Sequence, residues 1–336
     1  MKRLLLAAAL LGLVSCGNNE GEGTETTGGD TPEYAFVTNG VANFWTIASK
    51  GVDKAKKDLG VRAEVYMPSE GITQQKQILE DLLTRGVDGV AVTAIDPANQ
   101  IDILNQVAKN TILITHDSDA PDTNRRVYIG MDNYDAGWLC GELVRQAIPE
   151  GGKIAIFIGR LEQDNAKRRR QGTIDNILGR EKDNTRYDEP GAVLEGNGYT
   201  IVATLTDQFD RAQGKANAED MLSRHPDLAC MGGLFEYNPP LCLEALGQAG
   251  KLGDVALVGF DENDATLQGI IDGDVYGTVV QNPYMYGYKS MEVLHALHNG
   301  DDSVIPDNRF IDIPARQIVP DNVEAFWADL KEKTGS

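Results

Sequence analysis

Residues 74–97 read QQKQILEDLLTRGVDGVAVTAIDP, and this stretch decides the fold. Positions 74–85 carry leucine and isoleucine at helical spacing, whereas positions 89–93 form a short run rich in valine. The same order of amphipathic helix and short apolar strand recurs on both sides of this stretch. A chain that alternates strands and helices in this way predicts parallel sheets covered by helices.

The alternation runs from residue 34 to about residue 280. The predicted strands cover residues 34–38, 63–67, 89–93, 111–115, 127–130, 153–158, 200–204, 228–232, 255–259 and 275–280. The helical patterns include residues 44–59, 74–85, 99–109, 134–147, 212–223 and 241–249.

Chain length predicts how these elements divide. Roughly 300 ordered residues exceed what one hydrophobic core usually supports. We therefore predict an α/β fold of two doubly wound, Rossmann-like lobes, with a break near residues 131–133. Two such lobes that face each other place the carboxyl ends of their strands around one central cleft. The loops after the strands are therefore where functional residues are expected.

The amino-terminal residues have the layout of an export signal. Two basic residues precede an apolar run at 4–13, which is about half the roughly 20 residues needed to span a bilayer as a helix. The sequence LVSC at 13–16 is similar to the bacterial lipobox. We predict a lipoprotein signal peptide at 1–15 and lipidation of Cys16. Ordinary cleavage nearby, with Cys16 unmodified, is the alternative.

Residues 16–32 are almost wholly Gly, Thr, Asn and acidic residues, which predicts a flexible tether. Without Lys2 and Arg3 the chain has 29 basic residues against 51 acidic ones, a net charge of −22. Such a surface repels nucleic acid and anionic lipid. We therefore predict no nucleic-acid partner. The predicted signal peptide and lipidated Cys16 indicate an extracytoplasmic location and membrane association through the lipid anchor.

Motifs for metals, cofactors and covalent chemistry are missing from the sequence. It contains no dinucleotide fingerprint, phosphate-binding loop or nucleophile elbow at the expected places, so no cofactor and no catalytic residue is predicted. Residues 117–122 lack the glycine and glutamate of a calcium loop, and no metal site is predicted. Cys140, Cys230 and Cys242 lack metal-type spacing; a bridge from Cys230 to Cys242 and burial as free thiols are the two alternatives.

The loops after the strands carry aromatic rings, carboxylates, amides and an arginine. Carboxylates accept hydrogen bonds from neighbouring hydroxyls, arginine and amides donate them, and flat rings pack against the C–H faces of a sugar. The sequence therefore predicts a site for a polyhydroxyl solute. The candidate ligand-binding residues are Phe44, Trp45, Asp117, Arg169, Phe209, Asn238, Asp261 and Gln281.

Each candidate also has a structural alternative. The aromatic residues could belong to the core, the two aspartates could be turn or cap residues, and Gln281 could mark a hinge. Arg169 lies in the basic cluster 167–170, which could be a solvated helix face. If Asp117 and Asp261 meet across the cleft, they could instead serve as the paired acids of an exported carbohydrate-active enzyme.

The sequence resembles the periplasmic sugar-binding proteins of the ribose and galactose type, which are type I solute receptors of ABC importers. The resemblance covers nearly the whole chain from residue 34 to about 318. It rests on QILEDLLTRGVDG at 77–89, DP at 96–97, IGMDN at 129–133, FDR at 209–211 and VGFD at 258–261.

This resemblance implies a three-crossing hinge that closes on one solute. The implied amino-terminal lobe comprises 33–131 plus 282–311, and the carboxy-terminal lobe 132–281 plus 312–330. Positions matched to the family's motif give Phe44, Trp45 and Phe209 as stacking rings, Asp117 and Asp261 as sugar-binding carboxylates, Arg169 as the arginine, and Asn238 and Gln281 as amides. Asn43, Thr93 and Asn133 are further ligand or hinge candidates.

The chain departs from ribose receptors at two places. It has Asp117-Ser118 where they carry Asp-Arg, and the residues Ala42 to Trp45 differ from their Asn-Pro-Phe-Phe. Another pentose, a hexose, an inositol or a related polyol is therefore as well supported as ribose, and a non-sugar solute or signal is the alternative. The expected partner is a transporter permease, with a chemoreceptor or sensor as the alternative, and the soluble part is expected to be a monomer.

Overall fold

A computed structural model describes residues 31–335 of the chain. The predicted signal peptide, Cys16 and nearly all of the predicted tether lie outside the described residues. The strands are β1 (Glu33–Val37), β2 (Arg62–Tyr66), β3 (Gly89–Val92), β4 (Ile112–His116), β5 (Tyr128–Gly130), β6 (Gly152–Ile158), β7 (Leu194–Gly196), β8 (Tyr199–Thr206), β9 (Leu228–Gly233), β10 (Ala256–Phe260), β11 (Gly277–Val280), β12 (Phe310–Asp312) and β13 (Arg316–Ile318).

The helices connect these strands and cover both faces of each sheet. They are α1 (Asn43–Leu59), α2 (Ile72–Arg85), α3 (Pro97–Asn110), α4 (Asn133–Ala147), α5 (Asp164–Ile177), α6 (Arg211–Arg224), α7 (Asn238–Ala249), α8 (Asp264–Asp272), α9 (Pro283–His298) and α10 (Val323–Thr334), with a short 3₁₀ turn at Asp302–Val304.

The strands form two sheets. The first has the order β12-β5-β4-β3-β1-β2, and all of its strand pairs are parallel. The second has the order β13-β11-β10-β9-β6-β8-β7 and is parallel except for its two edge strands, β13 and β7. The prediction of two doubly wound lobes with parallel sheets is confirmed, and the antiparallel edges are an addition to it.

Each sheet is buried on both faces because helices pack on both sides of it. Along β1, Tyr34 and Phe36 point into the core shared with α1 and α9, whereas Ala35 and Val37 point into the core shared with α2 and α3. The second sheet is divided in the same way between α4 and α5 on one face and the remaining helices on the other. This two-sided burial explains why the strands read as continuous apolar runs.

The chain passes between the two sheets three times. It leaves the first sheet after β5, since α4 packs on the second sheet, and it returns after β11, since α9 packs on the first. The third passage connects β12 of the first sheet to β13 of the second. Below, the first lobe means the first sheet with its helices, and the second lobe means the second sheet with its helices.

Helix starts near the sheet edges are defined by capping side chains. Asp96, Asp132 and Asp210 each accept hydrogen bonds from backbone N–H groups in the first turn of α3, α4 and α6. Asn263 and Asn282 do the same for α8 and α9. The loops after the strands therefore have defined paths, which positions the side chains between the lobes.

The helix pairs that pack on one face of each sheet are in close contact through glycine. A Cβ atom on Gly137 of α4 would lie 1.9 Å from the carbonyl oxygen of Arg169 on α5, and one on Gly172 would lie 2.0 Å from that of Tyr134. Gly51 of α1 and Gly287 of α9 have the same role in the first lobe. These positions exclude any larger residue unless the helices separate.

Candidate functional site

A cavity of about 510 Å³ lies between the two lobes, which is within the usual range of small-molecule pockets. Its walls are the loops that follow the strands of both sheets, as expected for facing doubly wound lobes. The lining residues are Asn39–Ala42, Phe44, Trp45, Pro68, Ser69, Gly71 and Asp117 from the first lobe, Arg160, Asn165, Arg169, Gln208–Arg211, Phe235–Tyr237 and Asp261 from the second, and Gln281 at a crossing.

Asp117 is the first residue after β4 and is almost fully buried. Its backbone is left-handed, with φ of 58°, and its N–H donates to the carbonyl of Ile129 at 3.0 Å. The carboxylate accepts a hydrogen bond of 3.1 Å from Asn165, which belongs to the second lobe. Burial raises the pKa of Asp117 to about 7, and the guanidinium of Arg169 offsets part of that shift. Asp117 is thus a buried acceptor already linked to the opposite lobe.

Asp261 repeats this arrangement in the second lobe. It is the first residue after β10, has φ of 65°, and donates its N–H to Val279 at 2.8 Å. Its carboxylate accepts a 2.8 Å hydrogen bond from Gln281, whose own oxygen accepts from the hydroxyl of Tyr286. Burial raises the pKa of Asp261 to about 6. A left-handed backbone is strained for residues other than glycine, and such strain is concentrated at ligand sites.

Arg169 interacts electrostatically with both carboxylates, since its positive charge lowers the pKa of each. It is only 1% exposed. One Nη donates to the carbonyl of Leu234 at 2.8 Å, the other donates to Asn133 at 3.1 Å, and the guanidinium carbon lies 4.0 Å from the centre of the Phe260 ring. Its Nε has no hydrogen-bond partner in the described part of the chain. Two of the five N–H donors thus hold the guanidinium in place, and the unpaired Nε–H is among those left for a ligand.

Aromatic rings line both walls of the cavity. Phe44 and Trp45 open α1 and meet edge to face at 4.7 Å, and the indole N–H of Trp45 donates to Asn39 at 2.9 Å. Both rings also belong to the core of the first lobe, so the core and site roles coexist. On the other wall, Phe209 has φ of 66° and packs under the guanidinium of Arg160 at 4.3 Å.

Seven of the eight candidate ligand-binding residues line the cavity, and Asn238 does not. Asn238 is the first residue of α7, and its amide is used within the protein: it donates to Asp207 at 3.0 Å and accepts from the N–H of Phe235 at 3.1 Å. Asn238 therefore lies outside the lining, and its role as a ligand contact stays a prediction. Two residues earlier, Glu236 occupies the position that faces the cavity.

The three residues named as ligand or hinge candidates also lie outside the lining. Asn43 is an exposed residue at the start of α1, and Thr93 donates its hydroxyl to the carbonyl of His116 at 2.6 Å. Asn133 lies behind Arg169, since its amide oxygen accepts from that guanidinium. Of the three, Asn133 contacts a lining residue directly, and the roles of Asn43 and Thr93 stay predictions.

Several lining residues were missed by the sequence analysis, above all Arg160, Asn165, Gln208, Glu236 and Tyr237. Arg160 and Glu236 lie two and three residues beyond the ends of β6 and β9. The only signal for them was their position after a strand. That signal does not tell which of several loop side chains turns inward.

No group of His, Cys, Asp or Glu side chains within residues 31–335 is arranged to hold a metal ion. Cys140, Cys230 and Cys242 are buried free thiols, so the alternative of a Cys230–Cys242 bridge is wrong. Among the described helices, none is long and apolar enough to cross a membrane.

Comparisons with known proteins agree with this geometry. The chain is 24% identical over 269 residues to the ribose import binding protein RbsB of Bacillus subtilis (strain 168), covering 76% of this chain and 78% of that protein. Its structure is similar to that of GanP, a glucose-galactose binding protein from Geobacillus stearothermophilus, with 25% identity, a TM-score of 0.77, and coverage of 88% of this chain and 99% of that one.

A second solved structure is an ABC transporter solute-binding protein from Burkholderia graminis in complex with D-arabinose. It is 26% identical, with a TM-score of 0.77, and the match covers 87% of this chain and 96% of that one. The family model described as "Periplasmic binding protein domain" matches residues 34–302. The chain therefore belongs to the periplasmic binding protein family.

Proposed function

We propose that this chain is the extracytoplasmic solute-binding component of an ABC sugar importer, and that it binds one monosaccharide or polyol between its lobes. The proposal depends on two buried aspartates, Asp117 and Asp261, whose backbone is in the left-handed region. Both line the cavity between the lobes, together with Arg169. The similar proteins are named for binding ribose or glucose and galactose, or were solved with D-arabinose, which supports a sugar as the solute class.

The cavity chemistry suits hydroxyl groups. The carboxylates of Asp117 and Asp261 accept hydrogen bonds, the free Nε–H of Arg169 donates one, and the rings of Trp45 and Phe209 offer flat apolar surface. A solute that lacks a matching hydroxyl would leave one of these buried groups unpaired. This cost is the physical basis for selecting among sugars.

Hinge closure is the proposed mode of binding. We assign the first lobe to 33–131 plus 282–311 and the second to 132–281 plus 312–330, so that the three chain passages are the hinge. Closure would form contacts of the kind already present here, such as the hydrogen bond from Asn165 of the second lobe to the carboxylate of Asp117 in the first. The sugar would then be enclosed by side chains from both lobes.

The remaining parts of the proposal concern location and partners. Signal peptide 1–15, lipidated Cys16 and tether 16–32 would hold a monomeric, extracytoplasmic receptor close to its membrane. The closed form would dock on a transporter permease, and a chemoreceptor or sensor is the alternative partner. We assign no catalytic role to Asp117 or Asp261.

A thermal-shift screen of the purified protein against pentoses, hexoses, inositols and nucleosides tests the proposal. A ligand that binds only the folded state stabilises it by about 2.7 kcal/mol at a hundredfold excess over Kd, which corresponds to roughly 5 °C in Tm for a chain of this size. We expect a shift of this order with at least one sugar. No shift with any polyol, from folded protein freed of co-purified solute, would reject a sugar receptor in favour of a non-sugar solute or signal.

We also predict that sugar affinity falls at acidic pH. In the free protein, burial raises the pKa of Asp117 to about 7 and that of Asp261 to about 6. Sugar hydroxyls that donate to these carboxylates favour the ionised form, so binding must release the proton that each holds at lower pH. Titration calorimetry should show binding weaker by about thirtyfold or more near pH 5.5 than near pH 8.

The ligand-free protein should show the opposite trend in stability. Both pKa values are higher in the folded than in the unfolded chain, where aspartate has a pKa of about 3.9, so folding favours the protonated form. The free energy of unfolding should fall as pH rises from about 4 to about 7 and then level off.

The prediction on sugar affinity has its own contrary outcome. A Kd for the sugar that stays constant from about pH 4 to about pH 7 would mean that neither carboxylate accepts hydrogen bonds from the solute.

A further inference from the structure

The buried acidic and basic residues that line the cavity are three carboxylates and one guanidinium. Asp117, Glu236 and Asp261 are 4%, 6% and 4% exposed, and all three line the cavity. Arg169 is the one basic residue that acts on both aspartates, and its two Nη groups are already bonded to Leu234 and Asn133. Arg169 thus acts on two of the three buried carboxylates, and Glu236 is the third.

Within the described residues, only one of the two carboxylate oxygens of Glu236 has a hydrogen-bond partner. Its Oε1 accepts a hydrogen bond of 2.5 Å from the amide of Asn263, whose oxygen caps α8. Its Oε2 is buried and has no hydrogen-bond partner in residues 31–335. A fixed, buried carboxylate oxygen on a cavity wall is costly unless a ligand pairs with it.

A second buried glutamate lies close to Glu236. Glu262, the residue after Asp261, is also buried, and neither of its oxygens has a hydrogen-bond partner within the described residues. Burial, Asp261 and Glu236 together raise the pKa of Glu262 well above its usual value. Arg316 offsets part of that shift. Arg160, which also lines the cavity, interacts electrostatically with Glu162, Tyr237 and Asp207.

We propose that the solute is an amino sugar, a polyol with a protonated amine, and that Glu236 binds its ammonium group while Asp117 and Asp261 accept its hydroxyls. This inference rests on the proposed sugar-binding function and makes it more specific. An ammonium supplies the donor that Oε2 of Glu236 lacks and places a positive charge beside this carboxylate. In a buried site a charged pair is stronger than the same hydrogen bond to a neutral group.

The test compares matched sugars: galactose, glucose and mannose, the three corresponding 2-amino sugars, and their N-acetyl forms. Titration calorimetry is performed at about pH 6.5, below the roughly 7.7–8.0 at which an α-amino group loses its proton. For at least one member we expect the amino sugar to bind about tenfold or more tightly than the parent sugar and the N-acetyl form.

Two variants assign the preference to its residue. Glu236→Gln keeps the acceptor for Asn263 and removes only the charge, so it should abolish the tenfold preference while the Kd for the neutral parent sugar changes by about threefold or less. Glu162→Gln removes an exposed carboxylate near Arg160 and should leave the preference intact. Tm measurements establish that both variants are folded.

Three outcomes would overturn the inference. Neutral sugars that bind as tightly as their amino forms would overturn it and leave the sugar-binding function intact. A preference for amino sugars that survives Glu236→Gln would show that the assignment to Glu236 is wrong. Absence of binding by every sugar tested would overturn both this inference and the function on which it rests.

Discussion

Arg169→Ala should abolish sugar binding and lower the free energy of unfolding by about 3 kcal/mol near pH 8. The substitution removes a buried guanidinium that lowers the pKa of both Asp117 and Asp261, and it leaves two buried carboxylates without a positive partner. The loss should be smaller near pH 5, because both carboxyl groups then take up protons and no longer need the arginine. Denaturant unfolding at the two pH values measures the difference.

Arg168→Ala is the matched control, since Arg168 is the preceding residue on the same helix. Its side chain is 39% exposed and pairs with Asp164 one turn earlier, so its removal should change stability by no more than about 0.5 kcal/mol. Arg169→Lys keeps the charge but cannot reach Leu234 and Asn133 together, and binding should still be lost. Equal effects of the Arg168 and Arg169 variants would contradict the assigned role.

Gly137→Ala should lower the free energy of unfolding by about 3 kcal/mol, although it adds only one methyl group. The new Cβ would lie 1.9 Å from the carbonyl oxygen of Arg169, so α4 and α5 must move apart. Because α5 carries both Asn165 and Arg169, this movement should also weaken sugar binding. Urea unfolding and sugar titration on the same preparation measure the two effects.

Gly247→Ala is the control for this prediction and should have the opposite sign. Gly247 is an exposed residue of α7 whose added Cβ would have no neighbour closer than 3.8 Å. Replacing glycine by alanine within a helix stabilises it by about 0.5–1 kcal/mol. If Gly137→Ala were as well tolerated as Gly247→Ala, the close packing of α4 on α5 would not control the site.

The sequence was sufficient to predict the fold because both sheets are parallel and buried on two faces. Such strands appear as apolar runs that are easy to locate, and the rule that ligands bind beyond their carboxyl ends identified Asp117 and Asp261. The edge strands β7, β12 and β13 were missed because each has only three residues and is only partly buried. The antiparallel pairing of β13 joins Ile318 to Thr278, which is distant in the sequence, whereas β7 pairs with β8 in a short hairpin.

Helix α5 shows why part of the site could not be predicted. Its sequence, DNAKRRRQGTIDNI, is polar and suggests a solvated face, yet Arg169, Arg170, Gln171 and Asp175 are buried. Asp175 has no exposed surface and forms ion pairs with Arg180 and Arg186, which lie in the loop after the helix. A helix that buries paired polar side chains shows no periodic pattern of hydrophobic residues in its sequence.

The choice between Asn238 and Glu236 shows the same limit at the level of one loop. Both follow β9, and an amide and a carboxylate are equally suited to bind a sugar. Only the start of α7 at Asn238 places that amide against Asp207 and leaves Glu236 on the cavity wall. Periodicity does not contain this information, because the path of the loop decides it.

Direct titration of the purified protein with the sugar identified by thermal shift tests the central claim, which is that one polyhydroxyl solute binds between the two lobes. We predict a stoichiometry of one sugar per chain, a negative heat-capacity change, and loss of binding in Arg169→Ala but not in Arg168→Ala. A titration in which both variants bind the sugar as the unchanged protein does would contradict the claim, because the solute would then bind outside this cavity.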